Sequence, residues 1–476
     1  MKPTFHNKLL FICIFVLPFF GSSQIELKNK IVDFATLVPI ESASIYVKQT
    51  TTGTVSNADG KFVLQVPEDY ANDTLVISSI GYKSYKIPVN EFDNSFEIYL
   101  EEDIASLDEI VLVAETRPKT GNDIVLKAIE ELSETLPDSA YLQKGFLRHK
   151  ERNKLEFKWL IESAITVYDS GYGANSNDFL KINVEQNRKS YDLRDVDSLF
   201  SYASFKKQTS NRPTFKKDDV KRNQVTTNQL IQAIRWNDER FNGLNNLFHG
   251  KLNLVRNATD SKALFGENVL DKHLFSLDTI LVDNDRKIYK IKIAKGNDFV
   301  GLGTQGIYNE GYEASGWLYI YYDNYAFKKI EYELKAASPA QRSRSKRLFD
   351  TEVNHKLVIT YREYEDKMYP SYIYYETPKL VNTGLKSSSG KISKEEEEFY
   401  NKQQRYYYTV QEILFSEIIL DKEEIQMELN QKWDADIFSP KPYDADFWKN
   451  YNILLESEED EKMINDLSKR ASLFQR

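Results

Sequence analysis

The sequence predicts a mainly β protein with some α-helix, in which a small β-sandwich precedes a larger α+β domain with a curved antiparallel sheet. Aromatic residues make up 13% of the 476 residues, and aromatic rings pack well on a pleated, half-buried surface. From residue 24 onward, short apolar runs alternate with turn residues, and the longer C-terminal part adds short helical patterns to alternating strands. These patterns are typical of a sandwich followed by an antiparallel sheet with helices packed on it.

Charge and cysteine content exclude several classes of protein. The chain has 63 Lys and Arg against 72 Asp and Glu, a net charge of −9, whereas binding to nucleic acid needs a basic surface. No nucleic-acid partner is therefore expected. The single cysteine, Cys13, rules out an intramolecular disulfide. The fold must then be held together by a buried core, which a chain of this length can provide.

Residues 1–23 have the pattern of a signal peptide. An apolar run from Leu9 to Phe20 follows two lysines and precedes small residues up to Ser23, which is the order of a secretory signal. The run is shorter than the roughly 20 residues that a membrane-spanning helix needs. We therefore expect cleavage after Ser23, an exported protein in the periplasm or associated with the outer membrane, and no membrane-spanning segment after the signal peptide.

Residues 24–101 are predicted to form a seven-stranded β-sandwich that folds on its own. The first strand is expected to end at Asp33, and residues 44–47 alternate as a strand does. The Asn-Ala-Asp-Gly sequence at 57–60 predicts a turn in which Gly60 takes a positive φ. Closely spaced strands of this kind enclose one compact core.

The same stretch resembles the carboxypeptidase regulatory-like domain, which is a transthyretin-like sandwich. The resemblance rests on residues 32–47, 53–67 and 75–82. In that family the domain is accessory rather than catalytic, and it lies beside peptidases or at the N-termini of outer-membrane nutrient receptors. The resemblance therefore implies an envelope location and no reaction.

A second resemblance follows directly in the chain. Residues 107–113, Leu-Asp-Glu-Ile-Val-Leu-Val, resemble the segment that follows this domain in SusC-like TonB-dependent receptors. This resemblance supports an envelope location but not a transport function. The alternative is one further strand, and residues 102–120 are accordingly taken as a linker or strand.

Residues 121–456 are predicted to form a β-rich α+β domain, and residues 457–476 a C-terminal helix. The first helix is expected to begin after Thr120 and to end before Pro137, because a hydroxyl caps a helix N-terminus and proline cannot continue a helix. Ser457 and Asp460 are expected to cap the last helix. The other predicted elements are two strands within 145–168, short helices at 226–236 and 241–248, several strands in 274–378, and a strand pair at 406–420.

The region 274–378 shows the clearest strand alternation. Tyr289 and Ile291 alternate with Lys290 and Lys292, which is typical of antiparallel strands with one polar face. The order of residues around 316–332 resembles the half-barrel of LolA-type periplasmic lipoprotein carriers. A curved sheet closed by a helix would form an apolar-ligand groove. The residues predicted to line it are Tyr289, Ile291, Trp317, Tyr319, Ile330 and Tyr332. The alternative is an ordinary packed sheet without a groove.

A further set of residues resembles uncharacterised exported bacterial proteins that carry this sandwich. The set comprises Phe146, Arg148, Glu162, Ala164, Tyr168 and Tyr172, together with residues 447–452 near the C-terminus. This resemblance assigns no activity.

No catalytic, cofactor-binding or metal site is predicted. None of the histidines after residue 23 lies in the spacing by which zinc peptidases place two ligands on one helix face. Residues 301–306 spell Gly-x-Gly-x-x-Gly, but no helix pattern follows, so a dinucleotide site is not expected. We therefore predict a non-enzymatic protein, without a cofactor, that binds or scaffolds another envelope component, protein or lipid. Two alternatives stay open: a periplasmic carrier or sensor of an apolar ligand, and a peptidase-associated protein.

Overall fold

The computed structural model describes most of the chain after the predicted signal peptide. The described residues are 24–103, 117–152, 157–174, 179–191, 243–250, 253–259, 263–296, 312–336, 354–381 and 405–468, with isolated positions between 226 and 235 and between 339 and 343. The predicted signal peptide, residues 107–113, the glycine-rich residues 301–306 and most of the helix predicted at 226–236 lie outside them.

Seven strands form the predicted N-terminal sandwich. They are β1 (Gln24–Asp33), β2 (Ser44–Val47), β3 (Gly53–Val55), β4 (Lys61–Pro67), β5 (Thr74–Ser78), β6 (Tyr85–Pro88) and β7 (Ile98–Leu100). One sheet has the order β4-β1-β7 and the other the order β3-β2-β5-β6. Side chains from both sheets, such as Leu27, Ile45 and Phe62, are buried in a core of their own.

The turn at residues 57–60 requires glycine at its last position. Gly60 has a φ of 74°, and a Cβ there would lie 2.3 Å from the carbonyl oxygen of Ile31, so only glycine fits. The side-chain oxygen of Asn57 accepts hydrogen bonds from the backbone N–H groups of Asp59 and Lys61. The turn is therefore fixed by its own side chain, as the sequence predicts.

Ten strands form one antiparallel sheet in the larger domain. They are β8 (Tyr141–Arg152), β9 (Phe157–Asp169), β10 (Leu180–Tyr191), β11 (His273–Asp283), β12 (Arg286–Gly296), β13 (Tyr312–Tyr321), β14 (Phe327–Ala336), β15 (Asn354–Tyr364), β16 (Lys367–Val381) and β17 (Arg405–Ile419). Their order is β10-β9-β8-β17-β16-β15-β14-β13-β12-β11. The last strand, β17, thus lies in the interior of the sheet and joins the three strands before residue 192 to the six after residue 272.

The prediction of a strand pair at 406–420 is wrong, because these residues form the single strand β17. Polar residues in its middle do not mark a turn, since each has a partner within the sheet. The side-chain amide of Gln411 contacts the ring of His149 at 3.1 Å, and Glu412 pairs with Lys150 at 2.7 Å. A register shift between Phe415 and Glu417 lets the strand remain paired with β8 from Tyr408 to Ile419.

The two faces of the large sheet differ in chemistry. On one, here called the helix face, fully buried side chains pair directly across seven neighbouring strands: Ile291, Leu318, Ile330, Ile359, Ile373, Ile413 and Leu147. Both edge strands, β10 and β11, contribute buried side chains to the same core. The opposite face, here called the outer face, carries most of the charged side chains of the strands.

Helix α1 (Gly121–Glu130) packs on the helix face. Its N-cap is Thr120, whose hydroxyl accepts a hydrogen bond from the backbone N–H of Asp123 at 3.1 Å, as predicted. Ile124 and Val125 are fully buried in the core. A Cβ at Gly121 would lie 2.7 Å from the backbone of β11, so glycine permits the close approach of helix and edge strand.

The other helices of the described residues flank the sheet. They are α2 (Leu132–Thr135), α3 (Leu244–Phe248), α4 (Val269–Lys272), α5 (Lys422–Leu429), α6 (Ala445–Asn450) and α7 (Glu458–Ser468). Ser457 and Asp460 cap α7 as predicted, because the side chain of each accepts a hydrogen bond from the backbone N–H of the other. Met463 and Leu467 are buried against Leu160, so α7 lies on the outer face.

The sandwich packs against the outer face. The backbone N–H of Gly81 donates to the carbonyl of Val282 at 2.7 Å, at the end of edge strand β11. The guanidinium of Arg362, on β15, donates to the carbonyl of Thr51. Arg362 also approaches Gly53 so closely that a Cβ there would lie 2.2 Å from Nη1. A glycine at position 53 therefore makes room for an arginine of the other domain.

His273 is a buried histidine of the helix-face core. Its ring lies 5.5 Å from the ring of Phe265, and its Nε2 is 2.8 Å from the hydroxyl of Tyr332. Its Nδ1 is 3.3 Å from the carbonyl of Val269, so a neutral ring with the proton on Nδ1 satisfies both partners. Burial disfavours the charged ring and lowers the pKa of His273 to about 4.

We expect this histidine to make the protein less stable in mild acid. In the unfolded chain this histidine binds a proton at the ordinary pKa of 6.5, whereas folded His273 stays neutral until about pH 4. The stability that the neutral buried ring contributes is therefore complete above pH 6.5, and it is lost as the pH falls towards 4. His273→Gln, which stays neutral and can still bond Tyr332, should flatten this part of the pH profile in urea unfolding. The exposed His249 provides the control, and an equal flattening by His249→Gln would contradict the assignment.

We also expect residues 24–103 to fold without the rest of the chain, because the sandwich encloses its own core. The expressed fragment should unfold cooperatively in urea. Phe62→Ala, which removes a fully buried ring, should lower its free energy of unfolding by about 3–5 kcal/mol. A fragment without a cooperative transition would mean that the sandwich depends on the sheet.

Candidate binding surface

One row of side chains crosses the whole outer face of the large sheet. Direct cross-strand pairing links, in order, Ser276, Lys292, Trp317, Glu331, Val358, Tyr374, Glu412, Arg148, Glu162 and Arg188. The end of the row at β8, β9 and β10 is covered by the C-terminal segment. The end at β12, β13 and β14 borders an open cavity.

The covered end is a buried charge cluster. We use this name for Arg148, Lys150, Arg188, Glu162, Glu412 and Asp460. Arg148 is fully buried, and its Nε lies 2.8 Å from Glu162 and its Nη1 3.3 Å from Asp460. Lys150 bridges Asp460 and Glu412 at 2.8 and 2.7 Å. Arg188 binds the second oxygen of Glu162 at 2.6 Å. Glu456 lies 3.7 Å from the Nη2 of Arg148, so among the described residues these three cations face four carboxylates.

The carboxylates keep the buried cations charged. Burial opposes the charge on Arg148, but the attraction of Glu162 and Asp460 outweighs it and raises the pKa of Arg148. Burial likewise opposes the charge on Asp460, but Lys150 and Arg148 lower its pKa below the ordinary value of 3.8. Asp460 therefore stabilises the fold above that pH, and this contribution is lost as the pH falls through its lowered pKa.

The cluster also binds the C-terminal segment to the sandwich. The Nη2 of Arg148 donates to the carbonyl of Leu454 at 2.8 Å. From the other side, the amide of Asn57 donates to the carbonyl of Glu456 at 3.0 Å, and the carboxylate of Asp59 accepts from the backbone N–H of Glu458 at 2.7 Å. Residues 454–458 are therefore held between the sheet and the sandwich turn.

Aromatic packing extends this joint. Phe146, Ala164 and Trp448 form one buried group with Val55 of the sandwich, and the Arg188 guanidinium lies 4.7 Å from the Trp448 ring centre. The structure thus brings together most of the residues that resemble other exported proteins: Phe146, Arg148, Glu162, Ala164 and residues 447–451. The other two lie elsewhere, Tyr168 near Leu142 and Tyr172 beside the helix-face core.

The open end of the row is a cavity of about 430 Å³, here called the outer groove. Glu41 and Ser42 of the sandwich form one wall, and strands β12 to β16 form its floor. Trp317 is half-buried in that floor, with the ammonium groups of Lys290 and Lys292 at 4.3 and 5.9 Å from its ring centre. The exposed Lys356 lies 5.1 Å from the ring centre of Tyr374.

Aromatic rings and lysines therefore alternate across the groove floor. Lys329 pairs with Glu331 at 2.7 Å, and Lys335 pairs with Glu333 at 3.5 Å. Lys292 and Lys356 instead lie against aromatic faces. The floor thus combines flat apolar surface with cationic groups, which suits recognition of a partner that carries both apolar and acidic groups.

The structure does not bring the six predicted groove residues together. Tyr289, Ile291, Ile330 and Tyr332 lie on the helix face, where each is at most 3% exposed. Trp317 and Tyr319 lie on the outer face, in register with Lys292 and Lys290. Because β13 has bulky apolar side chains on both faces, the sequence pattern alone does not assign Trp317 and Tyr319 to one of them. Of the six, Trp317 contributes a half-buried ring to the outer groove. Tyr332 also borders this groove, although its hydroxyl lies 2.8 Å from His273 in the helix-face core.

The described histidines do not gather into a site. His149 contacts Gln411, His273 contacts Tyr332, His355 contacts Thr377, and His249 contacts its own helix backbone. Among the residues that the structure describes, no group of three or more His, Cys, Asp or Glu has a geometry that could hold a metal ion. In the same part of the chain, no helix is both long and apolar enough to span a membrane.

Comparison with known sequences identifies the N-terminal part. Residues 28–112 match the model of the family described as CarboxypepD_reg-like domain, so the β-sandwich is a carboxypeptidase regulatory-like domain. The chain is also similar to the TonB-dependent receptor SusC of Bacteroides thetaiotaomicron, with 33% identity over 123 residues. That similarity covers 25% of this chain but only 12% of the receptor.

Comparison with solved structures finds two similar chains. One is a LolA superfamily protein from Nitrosomonas europaea, with 11% identity, 65% of this chain and 97% of the other covered, and a TM-score of 0.21. The other is a putative outer membrane lipoprotein-sorting protein domain from Vibrio parahaemolyticus, with 9% identity, 64% and 97% covered, and the same TM-score.

We expect the charge cluster to be a major source of stability. Arg148→Met removes the fully buried guanidinium, leaves Glu162 and Asp460 with one cation each, Arg188 and Lys150, and removes the hydrogen bond to Leu454. The free energy of unfolding should therefore fall by about 3–5 kcal/mol. The matched control is Lys127→Met, which breaks an ion pair with Glu131 on the surface of α1 and should cost at most about 1 kcal/mol. Urea unfolding measures both, and equal losses would contradict a special role for the cluster.

Proposed function

We propose that the protein is a non-enzymatic component of the bacterial cell envelope that binds or scaffolds another envelope protein through the outer groove. The observation that carries the proposal is the open, aromatic and cationic floor of that groove, which lies between two domains fixed to each other. A scaffold needs an accessible surface held by a rigid frame, and the buried charge cluster supplies the frame.

Location in the envelope is supported by two independent features. The sequence of residues 1–23 predicts a signal peptide, and 25% of the chain is similar to a TonB-dependent receptor. The similarity spans only 12% of that receptor, so neither the activity nor the ligand of the receptor is proposed for this chain.

An apolar-ligand carrier is the less favoured alternative. Four of the six residues predicted to line its groove are packed inside the helix-face core. A cavity of about 720 Å³ does lie beside α1, but Glu130, Glu267 and Asn268 stand among its apolar wall residues. An acyl chain gains about 0.8 kcal/mol for each methylene buried in an apolar site, and this mixed wall offers little such surface.

Site-specific photo-crosslinking tests the proposal. A photoreactive amino acid at Lys356, in the groove floor, should capture a defined envelope protein in intact cells. The same amino acid at Lys127, on the exposed side of α1, is the control and should not capture it. Trp317→Ala should reduce the yield several-fold, because it removes the largest flat surface of the floor.

Two outcomes would contradict the proposal. Identical adducts at Lys356 and Lys127 would mean that the groove does not select a partner. A lipid that co-purifies in equal amount with the mature chain, and that Trp317→Ala leaves in place, would favour the carrier alternative.

A further inference from the structure

A second polar cavity lies where the sandwich meets the hairpin turns of the sheet. It measures about 640 Å³ and is here called the joint cavity. One wall is formed by Tyr46 and residues 48–50 of the sandwich, and the other by residues 283–286 and 362–366 of the sheet, with Tyr321 and Lys328 between them. The joint cavity is therefore made by both domains.

Arg362 is a buried cation in the wall of this cavity. It is 7% exposed, and the structure describes a hydrogen bond from its Nη2 to the carbonyl of Thr51. Its Nε is buried without a hydrogen-bond partner. No carboxylate among the described residues forms an ion pair with it. Burial accordingly disfavours the charged guanidinium and lowers the pKa of Arg362 to about 10.

Other buried arginines of this protein do have carboxylate partners. Arg148 binds Glu162 and Asp460, and Arg256 binds Asp169 at 2.8 Å. In the described part of the chain, these two and Arg362 are the arginines less than a tenth exposed. A buried charge that has only a neutral carbonyl as partner is costly. Arg362 thus differs from the other two in lacking a compensating anion.

The acidic residues of the cavity do not supply that anion. The carboxylate of Asp283 accepts a hydrogen bond from the hydroxyl of Tyr321 at 2.6 Å and lies 3.5 Å from Lys328, which balances its charge. Glu363 is occupied by Arg286, which also binds Asp323. Glu365 and Asp366 also line the cavity, so four carboxylates face the four cations Lys48, Arg286, Lys328 and Arg362 there. Among the described residues, none of these carboxylates forms an ion pair with Arg362.

We propose that the joint cavity binds a small oxyanion, a carboxylate or phosphate group, with Arg362 as its principal ligand. A guanidinium presents paired N–H donors that match such a group. Because the cavity has walls from both domains, the bound anion would link the sandwich to the sheet. This site is separate from the outer groove and doesn't depend on the function proposed for that groove.

Calorimetric titration of the mature chain, with succinate and with inorganic phosphate in separate arms, tests the site. Sodium chloride keeps the ionic strength constant. One of the two anions should bind saturably at one site and raise the melting temperature, and the arm that responds identifies the chemistry. Arg362→Lys should weaken binding by about tenfold or more, because an ammonium cannot form two parallel hydrogen bonds. Lys83→Met, which removes an exposed lysine paired with Glu101, should leave binding unchanged.

Hydrogen exchange of the wild-type chain gives a second readout that needs no variant. The anion that binds should slow amide exchange in residues 48–51 and in residues 362–366, one group in each wall. Absence of saturable binding by both anions would overturn the proposal. The proposal would also be overturned if wild type and Arg362→Lys bound the anion with equal affinity. The same holds if the anion slowed amide exchange only in residues outside the two walls.

Discussion

The arrangement of the whole molecule depends on charges buried under its C-terminal segment. Arg148 and Glu162 face each other across β8 and β9, and Asp460 reaches them from a segment 312 residues further along the chain. A buried ion pair is costly to form and costlier to break on one side only. The cluster is therefore complete only when the C-terminal segment packs over β8 and β9. The same segment also binds the turn of the sandwich at Asn57 and Asp59.

The large sheet has an apolar, sealed face and a charged, partly open face, and the proposed partner binding lies on the second. The helix face pairs isoleucines and leucines strand after strand and is sealed by α1, so its contribution is burial of apolar surface. The outer face has charged and aromatic side chains in register. The C-terminal segment covers it at β8 to β10, the sandwich packs against it elsewhere, and the outer groove stays open between the sandwich and strands β12 to β16. A partner can approach the open end without disturbing the core.

The two contacts between sandwich and sheet differ in how their charges are compensated. At the C-terminal segment, each described cation of the cluster contacts at least one carboxylate, and Arg148 contacts three, Glu162, Glu456 and Asp460. At the hairpin turns, Arg362 enters the sandwich beside Gly53 without a carboxylate. An arginine without an ion-pair partner among the described residues can bind an added anion, whereas Arg148 already contacts three carboxylates. The second contact is thus where a small molecule could alter the attachment of the two domains.

The sequence alone determined the features that depend on near neighbours in the chain. Turn residues and short apolar runs defined the sandwich, Thr120 and Ser457 marked helix starts, and alternation at 289–293 separated an apolar from a charged face. Each of these signals arises from contacts within a few residues, so it is visible in a linear pattern.

Only the tertiary structure decided which faces and which distant segments meet. Trp317 and Tyr319 alternate with Leu318 and Ile320, and because both sets are apolar, the face that each set takes depends on pairing with neighbouring strands. The insertion of β17 between β8 and β16 and the contact of Arg148 with Asp460 join segments far apart in sequence. The energy of such contacts depends on burial and on partners in space, and the linear order of residues records neither.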